Sequence, residues 1–106
     1  MINFSALQLK ERLDQVNNKP FLLDVREPWE FEICSIEDSL IIPMGQISCN
    51  MDKLDPEQEM VIICHHGIRS RSVALLLERH GFSNVINLTG GIESWARDVD
   101  LDMPTY

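Results

Sequence analysis

Apolar and polar positions along the chain fall into short blocks whose spacing switches between two periods. Ser5 followed by Gln8 is a capping-box pattern, and Leu7, Leu9, Leu13 and Val16 then recur at mixed helical spacing. The polar break Asn17-Asn18-Lys19-Pro20 stops that pattern, so a first helix is predicted over about residues 6 to 16. Phe21 to Val25 is an apolar run bounded by Pro20 and Pro28, too short for a helix and suited to a buried strand. Glu27 to Phe31 reads as a short helix with Pro28 near its first turn, where the missing N–H costs nothing. Leu40-Ile41-Ile42-Pro43 is a second brief apolar run, and Ile47, Met51 and Leu54, spaced by four and three, predict a short amphipathic helix. Met60 to Cys64 is the clearest strand, rich in branched residues fit for burial on both faces of a parallel sheet. After the turn His65 to Arg69, the run from Ser70 sets Val73, Leu76, Leu77 and His80 at helical spacing, with Gly81 as the stop. A fourth strand, Val85 to Leu88, and a helix from about Ile92 to Arg97 complete the series.

Strands alternating with helices predict an α/β layer architecture with a mostly parallel sheet, in which ligands bind at the carboxyl ends of strands. Cys64 stands at such an end. The 106 residues make one domain, 1–106, with an acidic tail from Asp98 to Tyr106 expected to be peripheral.

Nine Lys and Arg against seventeen Asp and Glu leave a net charge of −8, a poor basis for holding phosphate backbones or anionic membranes. Nucleic acid and membranes are therefore not the expected partners. The longest apolar runs fall far short of the roughly 18 residues of a membrane span, and Met-Ile-Asn-Phe-Ser lacks a signal-peptide pattern. The expected location is the cytoplasm. Three cysteines, Cys34, Cys49 and Cys64, form no Cys-x-x-Cys pair and suit neither a disulfide framework nor a thiolate-rich zinc site, so free thiols are expected.

Cys64 closes a strand and leads through a Gly67-containing turn into a helix, where consecutive backbone N–H groups and the positive end of the helix dipole converge. With Arg69 and Arg71 close by, this setting favours a nucleophilic thiolate and also a bound anion. Cys34 and Cys49 lack it and read as packed residues.

Cys64-His65-His66-Gly67-Ile68-Arg69-Ser70 resembles the active-site loop of the single-domain rhodaneses, the thiosulfate sulfurtransferases. Leu22 to Phe31 resembles that family's Asp-Val-Arg-Glu segment, Ile42-Pro43 its Ile-Pro, and Gly90-Gly91 with Trp95 its Gly-Gly-x-x-x-Trp. The resemblance implies a five-stranded, mostly parallel sheet flanked by helices on both faces. It also implies sulfur transfer through a Cys64 persulfide, from thiosulfate or a similar anionic donor to cyanide or a thiol, including a protein thiol, with no cofactor and no metal. The backbone N–H groups of His65, His66, Gly67, Ile68, Arg69 and Ser70 would cradle the outer sulfur, and Arg69 would hold the donor's oxyanion end. One stretch departs from the family pattern. Where family members read Gly-His-Ile-x-Gly-Ala, this chain has Cys34-Ser35-Ile36-Glu37-Asp38-Ser39. A turn that needs positive φ would be reshaped or strained there, although Asp38 tolerates such conformations better than most residues. Cys34 in this stretch is a candidate second, regulatory thiol.

Alternatives remain at this stage. A phosphatase or arsenate reductase loop carries five residues between its cysteine and arginine, whereas four separate Cys64 from Arg69. A rhodanese-like module that binds a protein or senses redox state without turnover is the rival from another class. His65 and His66 suggest a metal with Cys64, yet neighbours on a tight loop rarely converge on one ion. Arg26, after the Phe21 strand, is a secondary candidate for substrate contact, with an ion pair to Glu30 as its expected use. Trp29 and Trp95 are expected to pack.

Overall fold

The computed structural model describes residues 1–15 and 17–106. Strands β1 (Ile2–Phe4), β2 (Phe21–Asp24), β3 (Leu40–Ile41), β4 (Met60–Ile63) and β5 (Val85–Leu88) pair in parallel in the order β1-β5-β4-β2-β3. Because side chains alternate across a strand, β4 sends Met60 and Ile62 into one apolar cluster and Val61 and Ile63 into another on the opposite face. Helices α1 (Ala6–Leu13) and α5 (Gly91–Asp98) cover the second cluster with Ala6, Leu9, Ile92 and Trp95. The single turn α3 (Ile47–Asn50) and helix α4 (Ile68–Arg79) cover the first with Ile47, Val73, Ala74 and Leu77. Helix α2 (Pro28–Ile33) follows β2, with Pro28 in its first turn as expected.

From β2 the chain moves outward to β3, and from β4 it moves outward the other way to β5. The crevice beyond the carboxyl ends of β2 and β4 is thus the switch point at which open α/β sheets bind ligands. Cys64 follows β4 into that crevice.

Several boundaries differ from the periodicity. β1 carries only three residues and shows no run of its own; it exists because its backbone pairs with Ile86 to Leu88. The first helix keeps its Ser5 and Gln8 capping box but ends at Leu13, with Asp14 as its C-cap and Gln15 beyond the helix, so it is shorter than predicted; Val16 lies outside the described residues. Ile47, Met51 and Leu54 do not share one helix, since 3-10 turns at Met44–Gln46 and Met51–Lys53 flank α3. Asp38, standing where the resembling pattern has glycine, adopts φ +67, so the left-handed turn is kept by a residue whose short polar side chain suits it.

Three expectations are corrected outright. Cys49 is not packed but exposed, because it lies two residues past the buried Ile47 and so on the other side of the turn α3. The tail is not peripheral: Val99, Met103 and Tyr106 pack against the cluster under α1 and α5, because they offer apolar surface to a face those helices leave partly open. Trp29 is not packed in the core; it is 59% exposed at the start of α2, with one edge contact to the Tyr106 ring at 5.8 Å.

Candidate active site

Cys64 is 1% exposed, and its Sγ accepts a hydrogen bond from the Gly67 backbone N–H at 3.0 Å. That donor belongs to the residue capping α4, which begins at Ile68, two residues earlier than the spacing predicts. Gly67 holds φ +97, and a Cβ there would press on Gly90 N and Leu88 O, so the turn is open only to glycine. Sγ therefore sits at the positive end of a twelve-residue helix, where a sulfur anion is stabilised. On its buried side the Ser70 hydroxyl lies 3.3 Å away and donates to Asn87 Oδ1 at 2.5 Å, while Asn87 Nδ2 reaches Asn3 Oδ1 at 3.3 Å. Ser70 thus spends its single O–H on the amide oxygen, and its own oxygen accepts from the Cys64 thiol.

A second helix holds the loop from behind. The first free N–H groups of α5, those of Ile92 and Glu93, donate to the carbonyls of Cys64 at 2.8 Å and His65 at 3.2 Å. Any side chain at Gly91 would overlap those same two carbonyl oxygens, and one at Gly90, which holds φ +80, would overlap Ser94, which explains the paired glycines at the start of α5. Two sequence-distant glycine turns are packed against each other so that both helix N-termini meet the segment after β4.

The two candidate arginines have different surroundings. Arg26 is fully buried, and its expected ion pair with Glu30 is not the one formed: its Nε and Nη2 bind the Asp24 carboxylate at 2.7–3.1 Å. Its other N–H groups reach the carbonyls of Glu30 and Cys34 at 3.3 and 2.7 Å and the Tyr106 hydroxyl at 3.0 Å. Burial opposes its charge, but Asp24 and Tyr106 outweigh that cost and raise its pKa. With its donors spent inside the protein, Arg26 has none to offer a substrate. Arg69, in the first turn of α4, is 34% exposed and makes a fork-to-fork pair with Glu30, Nη1 to Oε1 at 2.7 Å and Nη2 to Oε2 at 2.9 Å.

Glu30 is the hub of this side of the site. Its carboxylate also accepts the Glu27 N–H at 3.0 Å and the Tyr106 hydroxyl at 2.6 Å. Arg69 pulls its pKa down to about 2; burial opposes that fall, and the Tyr106 and Glu27 hydrogen bonds add to it. Burial and Glu30 together push the Tyr106 phenol up to about 12, so it stays a donor. The Tyr106 ring stacks on His65 at 3.9 Å between centroids, and His65 stacks on His66 at 4.0 Å. Burial in that stack, with repulsion from His66, lowers the pKa of His65. Ring nitrogens of the two histidines and a Glu93 oxygen lie within 4.8 Å of one another. Imidazoles stacked at 25° send their in-plane lone pairs side by side, however, and not to a common point.

The structure therefore keeps Cys64 and Ser70 buried at the two ends of the loop with His65, His66, Gly67 and Arg69 at least partly exposed between them, leaves Ile68 outward at 75% exposure, and buries Arg26 completely. Cys34 joins the cluster on the opposite face from the one holding Cys64. Two residues escape the reading of the sequence, Asn87 and Tyr106, and Glu30 is read as an ion-pair residue but with the wrong arginine. Asn87 has a signal, a lone amide in the otherwise apolar strand Val85–Leu88, whereas Tyr106 has none beyond its chemistry. A groove of about 810 Å³ over Phe21, Leu22, Met60 and Trp95 opens at the amino ends of β2 and β4, and none of residues 64–70 lines it.

Residues 5–98 match the family model of the rhodanese-like domain. A sulfurtransferase of Allochromatium vinosum is 38% identical over 98 residues, which cover 92% of this chain and 91% of that protein. The chloroplastic rhodanese-like/PpiC domain-containing protein 12 of Arabidopsis thaliana is 40% identical over 89 residues, and the match spans only 30% of its length. Among solved structures, a rhodanese-related protein of Thermoplasma volcanium superposes with a TM-score of 0.84 at 30% identity, covering 93% of this chain and 94% of that one. No helix among the described residues is long and apolar enough to cross a membrane. With residues 5–98 matching the family model and a full-length relative 38% identical, the chain belongs to the rhodanese-like family.

Proposed function

We propose that this protein is a cytoplasmic sulfurtransferase that carries sulfane sulfur on Cys64. The observation that carries the reading is the 3.0 Å hydrogen bond from the Gly67 N–H to Sγ at the head of α4, a donor fixed before any substrate arrives. In the first step the Cys64 thiolate attacks the outer sulfur of a donor such as thiosulfate. The new S–S bond forms as the old one breaks, and its electron pair leaves with sulfite. In the second step cyanide or a thiol attacks the outer sulfur of the Cys64 persulfide, and the Cys64 thiolate is the leaving group. The persulfide's terminal sulfur is cradled by loop N–H groups, while Arg69 offers the N–H groups that Glu30 leaves free to an oxyanion.

Intact mass tests this directly. After incubation with thiosulfate the protein is expected to gain one sulfur atom, to lose it on adding cyanide, and to show neither change as Cys64→Ser. A sulfur gain that persists in Cys64→Ser, or a folded wild type that gains sulfur from no donor, overturns the assignment.

A further inference from the structure

Arg69 reaches the site already paired. A sulfonate binds arginine through the same parallel N–H fork that Glu30 occupies at 2.7 and 2.9 Å, so a donor with an oxyanion end must displace Glu30 or settle for the remaining N–H groups. Glu30 is hard to displace. Its side chain is 5% exposed, and the Glu27 N–H and Tyr106 hydroxyl fix both of its oxygens in place. Tyr106 is itself anchored through its hydroxyl to Arg26 and through its ring to His65. The carboxylate also stays ionised throughout the neutral range. The loop arginine and its partner thus present nearly zero net charge at the mouth, in a chain that carries −8 overall.

We propose that Glu30 is a positioning residue that sets donor selectivity: by holding Arg69 it turns the site away from dianionic thiosulfate and toward persulfides borne on a thiol. The inference rests on the reading of Cys64 as the sulfur acceptor. A thiol persulfide has no sulfonate to place. Its S–S bond breaks when the Cys64 thiolate attacks the outer sulfur, the electron pair leaves with the carrier thiolate, and the sulfur and its proton pass to Cys64. The rim offers such a carrier apolar surface instead of charge: Trp29 after β2, Met44 after β3 and Ile68 at the head of α4 are all exposed, at the carboxyl ends of the strands.

The test compares thiosulfate with the persulfide of 2-mercaptoethanol, each with cyanide as acceptor, in wild type, Glu30→Gln, Glu30→Asp and Tyr106→Phe. In Glu30→Gln one oxygen of the fork becomes an amide nitrogen facing Arg69, so the ratio of kcat/KM for thiosulfate over the persulfide is expected to rise about tenfold. The gain should appear in the KM for thiosulfate and shrink with added salt. Glu30→Asp should restore much of the wild-type ratio, and Tyr106→Phe, which loosens Glu30 without discharging it, should raise the ratio about twofold. A ratio unchanged in both Glu30→Gln and Tyr106→Phe, or a gain that appears only in kcat and ignores salt, overturns the role of Glu30. If Glu30→Gln does not fold, an unchanged ratio in Tyr106→Phe alone overturns it. Sulfur loading of wild-type Cys64 by the persulfide separates the two ideas: loading with an unmoved ratio sinks only the role of Glu30, and no loading from either donor sinks the sulfur-transfer reading beneath it.

Discussion

Arg26 and Arg69 both meet a carboxylate near the carboxyl ends of the central strands, yet they are built for different work. Arg26 finds Asp24 two residues away, and neither side chain of the pair has any exposed surface. Arg69 finds Glu30 across 39 residues of sequence, is one-third exposed and engages two of its N–H groups. The first pair is sealed, so its arginine can only fasten the turn after β2 to the carbonyls behind α2. The second pair is open on one side, so its arginine can be held, loosened or shared. A loop cation counts as a binding group only to the extent that its partner lets go, and the partner is where selectivity is set.

The largest effect is expected on the sealed side. Arg26→Met strands the buried Asp24 carboxylate, and loss of one partner of such a pair costs about 3–5 kcal/mol. Urea unfolding should show that loss, and adding Asp24→Asn should recover part of it. An equal loss in the double variant would shift the credit to the carbonyls that Arg26 holds. A smaller and pH-dependent effect belongs to the open pair. Because the folded state keeps Glu30 near pKa 2 against an ordinary 4.5, it binds that proton less readily than the unfolded chain does. The resulting stabilisation, about 3 kcal/mol, is complete above pH 4.5 and is lost as pH falls toward 2. Unfolding curves of wild type and Glu30→Gln should therefore be well separated near pH 6 and converge in acid; a gap of constant size would deny the ion pair its part. The smallest effect is expected for Tyr106→Phe, about 2 kcal/mol near neutral pH, since it removes two hydrogen bonds, the one donated to Glu30 and the one accepted from Arg26, and keeps the ring stack. No measurable loss would mean that the tail rests on the site without bracing it.

What could be read in advance followed from how local each cause was. β2, β4, β5 and the body of α4 are runs whose burial their own composition dictates, and Cys64, Gly67 and the helix behind them sit within a few residues of one another. β1 was invisible because three residues carry no period; its partner is a strand more than eighty residues away. The broken helix after β3 misled because two 3-10 turns and one α turn preserve a spacing of three and four without sharing an axis. Tyr106, and the partners Glu30 takes in place of Arg26, were missed for a related reason. An acid on a short helix and a tyrosine after a proline look solvated until the fold sets them 2.6 Å apart.

The two bonds from the start of α5 to the carbonyls of Cys64 and His65 give the segment after β4 a built-in timekeeper. The Ile92 and Glu93 amides can trade their hydrogens with solvent only while the loop has released them. Their exchange rates therefore count how often the mouth around Cys64 opens, read from a helix that need never touch a substrate.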